Sequence, residues 1–185
     1  MDVVRAIEER RAYRSLDPVE ITDELVHELA TAAQLAPSCF NNQPARFVFV
    51  RDPDALERVK EALSEKNAWA TAASMIVAVA SRIDLDCAIA KREYFLFDTG
   101  LATSFLILRA TELGLVAHPI AGYKEGKAKA ALGIPEDMRL ITLVIVGKHS
   151  DTIGPLLTEE QAEVEKARPD RKPLEEIAFE DGYHE

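Results

Sequence analysis

Apolar positions recur along this chain in two periods, and the breaks between them outline the elements. Val3, Val4 and Ile7 follow Asp2 at helical spacing, so Asp2 can cap a short helix with those three residues on one side. Thr22, with Asp23 and Glu24 in the first turn, can cap a second helix whose buried stripe is Leu25, Val26 and Leu29. That helix must stop before Pro37. Ser38–Pro44 reads as a polar loop and Phe47–Val50 as a strand. Asp52 and Pro53 supply a cap and a first-turn proline for a helix over Ala55–Leu63, and Met75–Ala80 reads as a short buried strand. From about Asp86 to Leu113 the pattern predicts one long helix ended by Gly114. Phe97, Leu101, Phe105 and Leu108 form one apolar line along it, while Phe95, Leu106 and Ala110 cover another side. A helix apolar on two sides needs more than one neighbour, and a subunit interface would serve as well as the chain itself. Lys124–Leu132 predicts a short helix closed by Gly133, Leu140–Val146 a strand, and Thr158–Lys166 an acidic helix followed by a polar tail, Arg168–Glu185, suited to an arm reaching over a partner.

Composition narrows the function classes. The 185 residues fit one domain, 1–185, with no internal repeat and no linker. With seven Phe, four Tyr and one Trp, its core must be mostly aliphatic. A net charge of −10 argues against a nucleic-acid partner and against an anionic membrane surface. Met1–Leu16 is charged throughout, unlike a signal peptide, and Met75–Ala80 is too short to span a bilayer. Cys39 and Cys87 make no disulfide framework, and Cys39 is expected to be a buried, inert thiol. A reducing, cytoplasmic setting is the expectation that follows.

Against the acidic background, Arg5, Arg10, Arg11 and Arg14 stand out. The last three sit at a helix end and the turn after it, where guanidinium forks could converge on one dianion, or where cations could simply answer a helix dipole. Pro37, Ser38, Asn41 and Gln43 lie in a loop that could aim hydrogen bonds at a flat heterocycle or bond its own backbone. The stretch from His118 to Tyr123 could lie along a planar ligand. There is no glycine phosphate cradle, no metal-ligand spacing among His27, His118, His149 and His184, and no catalytic triad order. Asp84, Asp86 and Cys87 are expected to start the long helix rather than bind a metal, and Asp98, inside that helix, to face solvent or hydrogen-bond at an interface rather than act as a functional acid.

Taken in order, these segments resemble the nitroreductase family of FMN-dependent oxidoreductases. Ile7–Arg14 is similar to its "R-R-S-x-R" start, and Ala36–Pro44 to its "A-P-S-x-x-N-x-Q-P-W" loop. Leu113-Gly114-Leu115 with Pro119–Tyr123 is similar to "L-G-L…P-I-x-G-F", Leu132–Glu136 to "L-G-I-P-E", and Arg171–Leu174 to "R-x-P-L". Ala12, Ala45 and Ala121 depart from the pattern where Ser, Trp and an acidic residue are usual. The resemblance implies an α+β fold with a central mixed, mostly antiparallel sheet flanked by helices, and a homodimer exchanging C-terminal arms, with FMN at the subunit interface. It implies that Arg10, Arg11, Arg14 and Arg171 hold the FMN phosphate. Pro37, Ser38, Asn41 and Gln43, from the partner, would contact the ribityl chain and flavin, Asn67 would offer a further amide, and Pro119, Ile120 and Gly122 would lie along the ring. The implied activity is ping-pong electron transfer from NADH or NADPH to a small-molecule acceptor such as a nitroaromatic or quinone, with the chemistry on the flavin and no catalytic side chain. A flavin-binding redox sensor and another flavin chemistry on the same fold remain open beside it. The short Ser81–Asp86 connection implies a slight lid.

Overall fold

In a computed structural model that describes residues 2–184, helices pack on both faces of an antiparallel sheet. The helices are α1 (Val3–Glu9), α2 (Asp23–Gln34), α3 (Pro53–Lys60), α4 (Tyr94–Glu112), α5 (Glu125–Leu132) and α6 (Glu159–Lys166). The strands are β1 (Leu16–Asp17), β2 (Arg46–Val50), β3 (Met75–Ser81), β4 (Ala88–Ile89), β5 (Arg92–Glu93), β6 (Val116–Ile120) and β7 (Arg139–His149). The main sheet runs β1-β7-β3-β2 with β6 also on β7, and each of these pairings is antiparallel. The architecture is α+β, as the resemblance implied.

β3 explains why the sheet must be covered twice. All seven of its residues are buried, and alternate side chains point to opposite faces. Ile76, Ala78 and Ala80 join Leu56, Val59, Trp69, Leu143 and Ile145 in a core under α3 and α5. Met75, Val77 and Val79 join Leu29, Leu106, Ala110, Val144 and Val146 under α2 and α4. The capping logic holds in detail: Asp2, Thr22, Asp52 and Thr158 each accept a first-turn N–H. Gly114 and Gly133 end their helices at φ of 75° and 65°.

The expected start of the long helix needs correction. α4 begins at Tyr94, not near Asp86, because residues 82–93 form a turn at Ile83–Leu85 and then the β4–β5 hairpin, which reverses at Ala90 with φ of 56°. Asp84, Asp86 and Cys87 therefore precede the helix, and the connection after β3 is more elaborate than a short link. Of the His118–Tyr123 stretch, residues 118–120 end β6 and residues 121–123 follow it. The apolar side of α1 is also not buried within the chain: Val3, Val4 and Ile7 are exposed, and only Ala6 packs inward.

The same holds for one line of α4. Phe95 and Leu106 are fully buried, whereas Phe97 is 63% and Phe105 39% exposed. With Val3, Ala6, Ala32, Leu35 and Leu108, Phe105 walls an apolar groove of about 470 Å³ between α1, α2 and α4. Residues 166–184 are exposed throughout; the final residue of the tail lies outside the described residues. Among the described residues no helix is long and apolar enough to cross a membrane.

Candidate functional site

The arginines converge because α1 ends at Glu9 and the chain runs extended past α6 into β1. Arg10, Arg11 and Arg14 line one cavity of about 190 Å³ together with Arg168 and Arg171 from the tail. Their surroundings differ. Arg11 donates to the carbonyls of Val164 and Glu165 at 3.0 and 3.1 Å, which satisfies the open end of α6, and its guanidinium lies 4.4 Å from the Tyr13 ring centre. Arg168 donates to the carbonyls of Glu8 and Arg10. Among the described residues the Arg10 and Arg14 guanidinium groups have no hydrogen-bonding partner. Burial first, then the charges of Arg168 and Arg171, hold the Arg10 pKa below its usual value. The cavity is a cluster of cations with donors to spare.

A carboxylate shapes the turn without entering the cavity. Glu165, 7% exposed, accepts from the backbone N–H of Arg14 at 2.8 Å and of Ser15 at 3.1 Å. Sequence reasoning missed both Glu165, which looked like one more acid on a solvated helix, and Arg168, which looked like part of a polar tail. The spacing of Arg168 and Arg171, three apart after a helix end, was the available signal for the latter.

A run of contacts leads from the arginines to the sheet. The Arg14 guanidinium lies 6.0 Å from the centre of the Trp69 ring, at the limit of a cation–π contact. Trp69 donates its indole N–H to Asn67 at 3.2 Å, and Asn67 donates to the carbonyl of Gly122 at 3.0 Å. Asn67 thus holds the chain just beyond β6. Gly122 leaves room for that contact, since an added Cβ would stand 2.5 Å from Asn67 Nδ2 and 2.7 Å from Ser64 Oγ and would displace those side chains. Pro119 is exposed on β6, whereas the Ile120 side chain belongs to the core and its carbonyl accepts from Thr142 Oγ1 at 2.9 Å.

His118 on β6 is buried with its ring 4.7 Å from that of Trp69. Its Nδ1 donates to the Tyr13 carbonyl over 3.0 Å. Burial, assisted by the nearby Arg14 and Arg10 charges and opposed by that hydrogen bond and by Glu165, lowers its pKa from 6.5 to about 4. Above pH 6.5 the imidazole is neutral whether the chain is folded or not. As pH falls towards 4, the unfolded chain takes up the proton first, so stability falls by up to about 3 kcal/mol. Urea denaturation between these limits should show His118→Gln losing that share of the pH dependence; an unchanged slope would mean that His118 is not held neutral.

The loop residues form a separate group. Pro37, Ser38 and Gln43 line a cavity of about 240 Å³ with Asp98, and no residue of the arginine–Trp69–Asn67 group lines it. Phe40, Asn41 and Gln43 have φ of 48°, 58° and 49°, a region that favours glycine. Ser38 Oγ accepts from the Gln43 N–H at 2.9 Å, and the Cys39 N–H donates to Asp98 at 2.6 Å. Asp98 is 4% exposed; its pKa is raised by burial and by Asp86, against the lowering effect of that N–H. Cys39 is not the inert thiol expected: it forms a disulfide with Cys87, the two Cα atoms 6.1 Å apart. The hairpin that displaces the start of α4 brings Cys87 to the loop, a pairing invisible while residues 86–93 were read as helix.

The Nitroreductase family model matches residues 7–73 and 64–148. A protein of Archaeoglobus fulgidus named "Putative NADH dehydrogenase/NAD(P)H nitroreductase" is 31% identical over 156 residues, covering 81% of this chain and 87% of its own length. A solved structure described as an oxidoreductase containing FMN shares 29% identity at a TM-score of 0.85, covering 100% of this chain and 93% of its own. A "putative nitroreductase in complex with FMN" from Exiguobacterium sibiricum has the same fold at a TM-score of 0.80, with 23% identity over 97% of both chains. The match across most of both halves of the sheet, from the arginine turn to β7, places this chain in the nitroreductase family of oxidoreductases.

Proposed function

We propose that the protein is an FMN-dependent oxidoreductase, a homodimer that takes electrons from NADH or NADPH and delivers them to a small acceptor such as a nitroaromatic or quinone. The observation that carries the reading is the cavity in which Arg10 and Arg14 offer guanidinium donors without protein partners, beside Arg168 and Arg171. Such a concentration of cations in an acidic chain is suited to a phosphate dianion, which would accept paired N–H donors from each fork. Relatives described as containing FMN, or as NAD(P)H nitroreductases, support the same ligand and donor.

In this reading Arg10, Arg14, Arg168 and Arg171 hold the phosphate, with Arg11 mainly locking the turn to α6. Pro119, the backbone of Ile120, and Gly122 as clamped by Asn67 form one wall for the flavin ring. The second wall comes from Pro37, Ser38, Asn41 and Gln43 of a partner subunit, which explains why one chain keeps the two groups in separate cavities. The exposed Phe97–Phe105 line and the α1–α2–α4 groove are the surfaces the partner covers, and residues 168–184 form the arm laid across it. The whole chain then acts as one flavin-binding domain. Bound FMN would supply hydride acceptance and electron delivery, and the residues named here would bind and orient it. Anaerobic addition of NADH or NADPH to FMN-loaded protein should bleach the flavin absorbance, and addition of a quinone should restore it. Flavin that stays oxidised with both nicotinamides would contradict the oxidoreductase reading.

A further inference from the structure

We propose that Cys39–Cys87 is a reversible thiol–disulfide site, reduced by a dithiol, whose state sets the conformation of the 38–43 loop and so the affinity for flavin. The inference rests on the reading of that loop as a flavin wall.

The loop is held in an unusual shape. Phe40, Asn41 and Gln43 all sit at positive φ, a sparsely populated region that persists only when the surroundings over-determine it. One of the restraints ends on α4 and two on the segment leading into it. The Cys39 N–H donates to Asp98 at 2.6 Å, Asn42 Nδ2 donates to Asp86 at 3.3 Å, and the disulfide fixes Cys39 to Cys87. The disulfide is the one covalent tether, and it closes a sequence separation of 48 residues.

Reduction changes this balance in a defined way. One thiolate of the dithiol attacks a cysteine sulphur and forms a mixed disulfide, which its second thiol resolves. The chain gains two electrons and two protons as two thiols, and the dithiol leaves as its own disulfide. Two thiols cannot stay at bonding distance, so the sulphurs must part, and the strained loop is where the movement is most readily absorbed. The Asp86 carboxylate lies close to both sulphurs, so its bond to Asn42 is disturbed when they part. Neither cysteine is fully buried, so an attacking thiolate has a route to the bond.

The test uses the full FMN-loaded chain purified in air without reductant. Thiol titration after denaturation should find no free thiol, and two after treatment with dithiothreitol in the dark. Removing the reductant and the FMN anaerobically, and titrating FMN back, should show binding weakened by about tenfold in the reduced protein relative to the oxidised one, the scale of one lost hydrogen bond. Cys87→Ser should match the reduced protein and ignore dithiothreitol. Two titratable thiols in the air-purified chain, equal FMN affinity in the two states, or a Cys87→Ser protein that still responds would each overturn the inference. Amide hydrogen exchange across residues 38–43 reads the loop without any flavin. It should quicken on reduction, and unchanged exchange overturns the proposal even if the flavin reading itself has failed.

Discussion

Replacing Arg10 and Arg14 together by alanine weakens FMN binding by about a hundredfold or more, with little change in Tm. The size follows from what each side chain does in the folded chain. Among the described residues neither guanidinium bonds to a protein acceptor, so neither is needed to satisfy a buried group, and burial and neighbouring cations already make the charge of Arg10 costly. Each hydrogen bond to a charged phosphate contributes roughly 1.5–3 kcal/mol, and two lost forks exceed the roughly 2.7 kcal/mol that corresponds to a hundredfold change. Arg11 behaves differently, because its donors close α6. Arg11→Ala is for that reason a poor probe of the phosphate, since its loss exposes helix-end carbonyls and loosens the turn. Equilibrium titration with flavin fluorescence measures the effect. Unchanged affinity in the double variant would remove the arginine cavity from the flavin site.

Charges placed on the exposed line of α4 should dissolve the dimer and empty it of FMN in the same step. Phe97 and Phe105 project from a helix whose other side, Phe95 and Leu106, fills the core. Burying each ring against a partner contributes roughly 1.5–3 kcal/mol, and Phe97→Glu with Phe105→Glu replaces that gain by a charge that must be desolvated. The dimer constant should shift by several orders of magnitude. The loop wall and the arginine wall lie in separate cavities of one chain, so on the proposed dimer a monomer would hold only half of the site. Sedimentation together with flavin content gives both readings. A monomer retaining a full complement of FMN would refute the shared site, and a dimer that persists unchanged would refute this interface.

Much of the fold was legible in the sequence because local signals agreed with the global arrangement. Thr22 and Asp52 start α2 and α3 as capping chemistry requires, the Met75–Ala80 run is the central strand, and Gly114 and Gly133 end their helices. The start of α4 was not legible, because residues 86–93 satisfy a helical pattern and are diverted by a hairpin and a cysteine pairing that depend on a distant loop. β1 was missed for a related reason: two residues carry no period, and their place is set by pairing with His149 and Lys148. Within the candidate site, the arginines stood out by charge against an acidic background. Glu165 did not, because its role depends on facing two backbone N–H groups across a fold. The apolar residues of α1 and the outer line of α4 were visible as apolar, but only the structure shows that the chain itself leaves them uncovered.

The claim on which the rest depends is that the arginine cavity receives the phosphate of FMN. Parallel titration of the flavin-free protein with FMN and with riboflavin, which differ only in that phosphate, tests it most directly. The account predicts that FMN binds at least about a hundredfold more tightly, the difference shrinking as ionic strength rises. Equal affinity for the two flavins would contradict it.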